Sequence, residues 1–392
     1  MPRRSSSYGV IVAGLGAMGS AAVHHLATRG ARVLGLDRFA PPHVMGSSHG
    51  RSRIIREAYF EDPLYVPLVQ RAYELWDELA VSAGREILVR TGGVMIGPPD
   101  GTVAAGALRS AARHGLPHER LTAAQLNDRC PGFRPTVDMI GVWEPRAGYL
   151  VPEAAIAAHL EVAARHGAEL RTGEAIVDWR ATGDGVEVTT TNAVYRADRL
   201  VLALGAWMPR LIRDLDLPLT IERNVLYWFK PTRATTLFDR DRFPIWLCEY
   251  APGLVWYGFP DTGQGVKVAL HHQGTAADPD ALRRDVGPEE IAYIRALLRT
   301  FMPTADGPLV ETAVCMYTNT PDEHFIIDRH PAYPQVIVAS PCSGHGFKFS
   351  SAIGEQLAML AMDAEPTFDL RPFGIARLTG AASGSSRGAV AD

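Results

Sequence analysis

Residues 8–13 form a short apolar run rich in β-formers, and it enters the turn Gly14-x-Gly16-x-x-Gly19. A helical segment over 17–29 follows, Gly30 stops it, and a second apolar run over 31–36 ends in Asp37. Strand, glycine turn, helix, strand and acid in this order admit few folds. They predict a βαβ unit with a parallel sheet and a dinucleotide at its first turn. Gly14 permits the tight turn, Gly16 lets the backbone approach a pyrophosphate, and Gly19 lets the helix pack on the strand. The pyrophosphate would lie at the helix N-terminus, where free N–H groups and the dipole favour anions. Asp37, eighteen residues beyond Gly19, can accept from ribose hydroxyls. The same glycines argue against reading Arg3-Arg4 and the run behind them as an export signal. The fingerprint alone does not separate FAD from NAD.

A chain of 392 residues predicts one large domain or two. Its 47% hydrophobic and 21% charged content suits a soluble protein with a sizeable core. The net charge of −4 provides no global attraction to nucleic acid or acidic membranes, so an anion site must come from locally placed Arg and Lys. No apolar run reaches membrane-spanning length. The four cysteines, at 130, 248, 315 and 342, have neither C-x-x-C nor Cys/His metal spacing. That argues against a disulfide framework or a metal site, and for a reducing, cytoplasmic compartment.

His49, Arg53 and Arg56 are spaced i, i+4, i+7, so a helix would put them on one stripe, fit for an anion or a flavin edge. Helices are expected over 65–82 and 151–166, and a strand over 88–95. Paired strands are expected over 169–191 around Gly183-Asp184-Gly185. A strand over 199–205 should deliver Gly205-Ala206-Trp207 as a second glycine turn touching a nucleotide. Residues 220–275 are strand-rich and aromatic, which suggests an antiparallel sheet in a separate substrate domain. Within it, Lys267, Ala269 and His271 share one face and Val266, Val268 and Leu270 the other. The first face lines a polar cavity or meets water; spacing leaves both open.

Near the C-terminus, Cys315 and Tyr317 lie two apart on a strand-like run and so face the same way. A glycine loop follows, with Gly344 and Gly346 allowing close backbone approach. A helix expected over 347–362 carries Lys348 in its first turn, where a cation opposes the dipole and calls for an anion. A lone cysteine is ordinarily a small buried hydrophobe. The Gly-, Ala- and Ser-rich tail from about 378 is expected to be disordered.

Five segments carry a resemblance: SSHGRSRIIR (47–56), YGFP, VKVALHH, AVCMYTNTPDEHFIID (313–328) and SGHGFKFSS (343–351). With the fingerprint, they resemble the monomeric sarcosine oxidase/N-methyltryptophan oxidase family of the D-amino-acid oxidase superfamily, over nearly the whole chain. The resemblance implies an α/β (α+β overall) fold, with a discontinuous FAD-binding domain (1–80, 151–215, 320–377), a substrate domain (81–150, 216–319) and a flexible tail (378–392). It implies FAD attached through a Cys315 thioether. Arg56 and Lys348 would bind a substrate carboxylate, Arg53 and His49 would lie near the flavin, and Lys267 would promote reaction with oxygen. His271, Tyr257 and Tyr317 would line the pocket. The expected activity is oxidation of a secondary amino acid to an imine with reduction of O2 to H2O2, by a monomer. The competing readings are an oxidase of a cyclic imino acid such as L-pipecolate or of a biosynthetic-pathway amine, a flavin dehydrogenase using another acceptor, a non-catalytic flavin protein, and an NAD-dependent dehydrogenase, which would leave the C-terminal glycine loop unexplained. The sequence departs from the family at Arg51-Ser52 and at Ser340-Pro341-Cys342, and between Trp246 and Lys267 it differs by small insertions and deletions.

Overall fold

The strand Ser7–Ala13 runs between two parallel neighbours, Val33–Asp37 and Val194–Leu202, with Val12 opposite both Gly35 and Val201. It is the centre of an eight-stranded sheet in the computed structural model, which describes residues 7–379. Glu169–Thr172 extends the parallel set beyond Val33–Asp37, and Tyr333–Ser340 lies parallel to Val194–Leu202. The hairpin Ile176–Thr182/Gly185–Thr190 is antiparallel, as its Gly-Asp-Gly turn predicts. Continuous apolar runs make the central strands, since a parallel sheet is covered on both faces. The helices Ala17–Thr28, Pro152–Arg165 and Ser350–Ala361 cover one of them, with the first of these packed against the other two.

A second, nine-stranded sheet holds Thr220–Phe229, Ile245–Ala251, Leu254–Phe259, Val266–His271 and Leu309–Asn319, with three strands from residues 93–144. Its pairings are antiparallel except that Ile245–Ala251 runs parallel to Gly93–Gly97. Val266, Val268 and Leu270 pack into its aromatic core beside Trp246 and Trp256. A three-stranded sheet, Arg53–Ile55, Gly148–Leu150 and Leu88–Arg90, bridges segments that otherwise serve the two large sheets.

Four expectations need correction. Residues 49–56 are not helical; Arg53–Ile55 is a strand. His49, Arg53 and Arg56 therefore form no common stripe, because β-branched Ile54-Ile55 pair with Gly148-Tyr149 instead of closing a helical turn. The strand expected over 88–95 is two strands in different sheets, broken at Gly92, whose φ of 70° turns the chain. Residues 169–172 pair with Val33–Asp37 rather than joining the hairpin. Lys348 sits in a separate 3-10 turn, Phe347–Phe349, ahead of the helix Ser350–Ala361. The tail prediction falls almost wholly outside the described residues, as do Arg3 and Arg4.

Candidate active site

A cavity of about 400 Å³ runs from the glycine turn to the second sheet. At one end it is lined by Gly14, Gly16, Asp37 and the Gly205-Ala206-Trp207 turn. Gly14 has φ 86°, and a Cβ there would lie 2.5 Å from the Ala203 carbonyl oxygen. A Cβ on Gly16 would meet nothing closer than Ser48 Oγ at 3.9 Å, so the space beside it is left to a ligand. Gly16 begins the helix Ala17–Thr28 without a side-chain cap, leaving N–H donors for an anion. Gly19 lies outside the lining and works from behind, where a side chain would run into the Gly14 carbonyl. Asp37 Oδ2 accepts from Leu15 N–H and Oδ1 from Phe39 N–H, each at 2.7 Å. It thus shapes the glycine turn, and each oxygen keeps a lone pair for a further donor.

At the other end the wall is built from three places in the chain. Cys315 and Tyr317, on one face of Leu309–Asn319, both line the cavity, opposite Asn224 and Glu222 in the sheet register. Burial pushes the Cys315 thiol up, against the pull of Arg53 and Lys267. Tyr257 and His271 join them from neighbouring strands, with ring centroids 6.2 Å apart, and His271 Nδ1 lies 3.4 Å from the Tyr317 hydroxyl. Burial holds His271 well below the usual histidine range, helped by His272, His345, Lys348 and Arg56, so it is neutral. Gly344 (φ 73°) presses the loop onto this group: a Cβ there would sit 2.6 Å from the Tyr317 ring. Gly346 is equally confined, against the Pro341 carbonyl.

Two buried cations face the same space. Arg56, 1% exposed, donates to Glu61 Oε1 at 2.8 Å and to the Ala58 carbonyl at 3.1 Å, between the rings of Tyr59 and Phe60. Lys348 Nζ donates to the His345 carbonyl at 2.7 Å and to the Tyr59 hydroxyl at 3.2 Å. Burial lowers Lys348 to about 7, Arg56 pushes the same way, and Glu61 opposes them. Burial pushes the Glu61 carboxyl up, but Arg56, His345 and Lys348 outweigh it and keep it below the ordinary value. Arg53 also lines the cavity and is held by the carbonyls of Ser47 and Ser52.

Two of the expected residues stand behind the wall. His49 is buried with Nε2 unpartnered, and burial with Arg53, Arg284 and Lys267 lowers it to about 3, so it brings no charge. Lys267, 2% exposed, is hidden among Gly50 O, Ser52 O and Ser52 Oγ at 2.7, 2.8 and 3.1 Å. Sequence reasoning missed Glu61, Tyr59 and His345, whose ring joins the Tyr59 hydroxyl (2.6 Å) to the Glu323 carbonyl (3.0 Å). His345 lay within the conspicuous loop, but Glu61, five residues after Arg56, has no periodic signal.

A model of the DAO family, FAD dependent oxidoreductase, matches residues 9–360. The chain belongs to this family. It is 46% identical to a monomeric sarcosine oxidase of Streptomyces avermitilis, over 96% of this chain and 99% of that one. It is 35% identical to an N-methyl-L-tryptophan oxidase of Yersinia pestis, over 94% and 99% of the two chains. Among solved structures, NikD, an amino acid oxidase essential for nikkomycin biosynthesis, aligns with a TM-score of 0.82 at 25% identity, over 94% of this chain and 98% of that one. The protein is thus an FAD-dependent oxidoreductase. The open space beside Gly16 and the uncapped helix end suit the cofactor's pyrophosphate.

Proposed function

We propose that this protein oxidises a secondary amino acid, N-methylated or cyclic, to an imine and reduces O2 to H2O2. One observation carries the reading: Arg56 and Lys348, distant in sequence, are buried cations on the wall of one cavity with Cys315, Tyr257 and Tyr317. Two cations beside aromatic rings and a neutral His271 suit a carboxylate joined to an uncharged amine. Relatives whose names specify sarcosine and N-methyl-L-tryptophan support the class.

FAD supplies the two-electron acceptor for cleavage of the substrate C–H bond. Arg56 grips the carboxylate as a fork and Lys348 as a point charge. Fixing the carboxylate orients the reacting carbon, and orientation contributes most here. Arg56 must share or exchange Glu61 to do so. His271, neutral, and Tyr317 border the amine without opposing its uncharged form. Behind the wall, the Lys267 ammonium stabilises negative charge developing on oxygen as it is reduced. Cys315 would hold FAD through a thioether, and Arg53 would lie beside its ring. The segments 1–80, 151–215 and 320–377 bind FAD, and 81–150 with 216–319 form the substrate domain. The two large sheets support this division, since each draws its strands from one set alone. The protein acts as a cytoplasmic monomer, in keeping with the name of its sarcosine oxidase relatives.

Acid denaturation tests the attachment. Yellow colour staying with the pellet, and lost in Cys315→Ala, is the expected result; colour in the supernatant overturns it. Peroxide release from sarcosine, other N-methyl amino acids and L-pipecolate tests the substrate class. Silence across that panel with a flavin-loaded protein refutes it.

A further inference from the structure

The chain has only three lysines, and two of them, Lys267 and Lys348, are buried. Among the described residues no carboxylate lies in hydrogen-bond reach of Lys267. Its three N–H donors go to the carbonyls of Gly50 and Ser52 and the Ser52 hydroxyl, the set an ammonium can fill. Those acceptors sit on a turn with two consecutive left-handed residues, Gly50 at φ 98° and Arg51 at φ 67°. A non-glycine residue in that region costs about 1 kcal/mol or more, so something must hold it there. Glu153 does. Its Oε1 accepts from Gly50 N–H at 2.8 Å and from Arg51 N–H at 3.1 Å, a carboxylate seated in a backbone nest. Glu153 is itself fixed in the first turn of the helix Pro152–Arg165, where an acid is favoured.

The Gly50–Arg51 peptide group therefore lies between opposite charges. Its N–H points to Glu153 and its C=O to Lys267 Nζ, 2.7 Å away. A carboxylate on the N–H polarises the peptide and strengthens the carbonyl as an acceptor. Gly50 suits the turn: at φ 98° a side chain is strained, and its Cβ would also displace Leu226 Cδ1, 2.5 Å away. Burial holds Lys267 well below the ordinary lysine range, Arg53 and Arg51 push the same way, and Cys315 and Glu153 oppose them, so the ammonium depends on the acceptors and the carboxylate around it.

We propose that Glu153 is a positioning residue for the oxygen half-reaction, holding the Gly50–Arg51 turn so that its carbonyls aim at and retain the Lys267 ammonium. The inference rests on the oxygen-side role proposed above for Lys267.

The test uses full-length protein carrying [13Cε]lysine, whose three signals are assigned with Lys267→Met, and stopped-flow half-reactions of the flavin-loaded enzyme. In Glu153→Ala, Lys267 is expected to titrate about one pH unit lower, the size of a carboxylate effect at an effective dielectric near 20. Flavin reoxidation is expected to fall about tenfold, the loss of one charge-assisted hydrogen bond. Flavin reduction by substrate stays unchanged. Glu153→Gln keeps an oxygen for both N–H groups, so it regains most of the rate while still lowering the titration. Unchanged Lys267 titration in the Gln variant overturns the proposal even if the Ala variant does not fold. So does a Glu153→Ala loss that multiplies with that of Lys267→Met in the double variant. Normal reoxidation in Lys267→Met alone refutes the parent reading instead, and the lysine titration still decides whether Glu153 holds the ammonium.

Discussion

The Arg56 guanidinium already has a carboxylate from its own chain: Nη2 lies 2.8 Å from Oε1 of Glu61, and both residues line the cavity. A substrate carboxylate arriving there competes with Glu61. Glu61 balances Arg56 and supports the charge of Lys348.

Glu61→Gln frees Arg56 and should tighten binding of a carboxylate inhibitor. It also leaves a buried cation poorly paired, which costs about 3 kcal/mol of stability. Inhibitor titration and thermal unfolding of the same variant check both signs. Weaker inhibitor binding in a folded variant would show that Glu61 aids the ligand instead of competing with it.

Lys348, lowered to about 7, gives carboxylate binding a pH limb. Below that value the amine is charged and both cations act. As pH rises through it the charge is lost, and affinity should fall by up to about tenfold per pH unit, the limit for one proton. The limb should vanish in Lys348→Met. A flat profile between pH 6 and 9 in the unmodified protein would contradict the assignment.

Gly344→Ala and Gly183→Ala separate backbone strain from crowding. Both glycines have positive φ, 73° and 60°, but an added Cβ at Gly344 meets the Tyr317 ring at 2.6 Å while at Gly183 it meets nothing within 4 Å. Both variants should lose about 1 kcal/mol from strain. Only Gly344→Ala should also lower turnover, by about tenfold or more, because the loop must leave Tyr317 and His271. Equal turnover in the two variants would sink the argument.

Three histidines, His24, His25 and His159, meet between two helices, with ring centroids 4.9 and 5.1 Å apart. Burial lowers all three, His24 to about 4, and neighbouring histidines push further in the same direction. The unfolded chain protonates these rings near 6.5 and the folded chain well below it, His24 only near 4, so protons favour unfolding in that window. Stability should therefore fall as pH drops from 6.5 toward 4, and less steeply in His24→Gln. Parallel unfolding curves for the two proteins across that range would refute it.

Periodicity made much of the site legible before any partner was known. Glycine spacing and a following acid located the turn between the first strand and its helix, on the cavity wall. Two-residue alternation put Cys315 beside Tyr317 and Lys267 opposite the apolar core. These are local properties, written into the chain because a strand or helix sets its side-chain directions by itself. Residues 49–56 were misjudged because a three-residue strand is too short to show its period, and the helical spacing of three basic residues filled the silence. What tertiary structure alone decided is pairing. Lys267 meets Gly50 across 217 positions and Tyr59 meets His345 across 286, and no local pattern announces either. Glu153 became visible only when the fold brought a strained turn against it, and Glu61 only when the chain just after Arg56 turned back onto its guanidinium. A carboxylate's role depends on which donors surround it, and the topology, not the neighbouring sequence, chooses those donors.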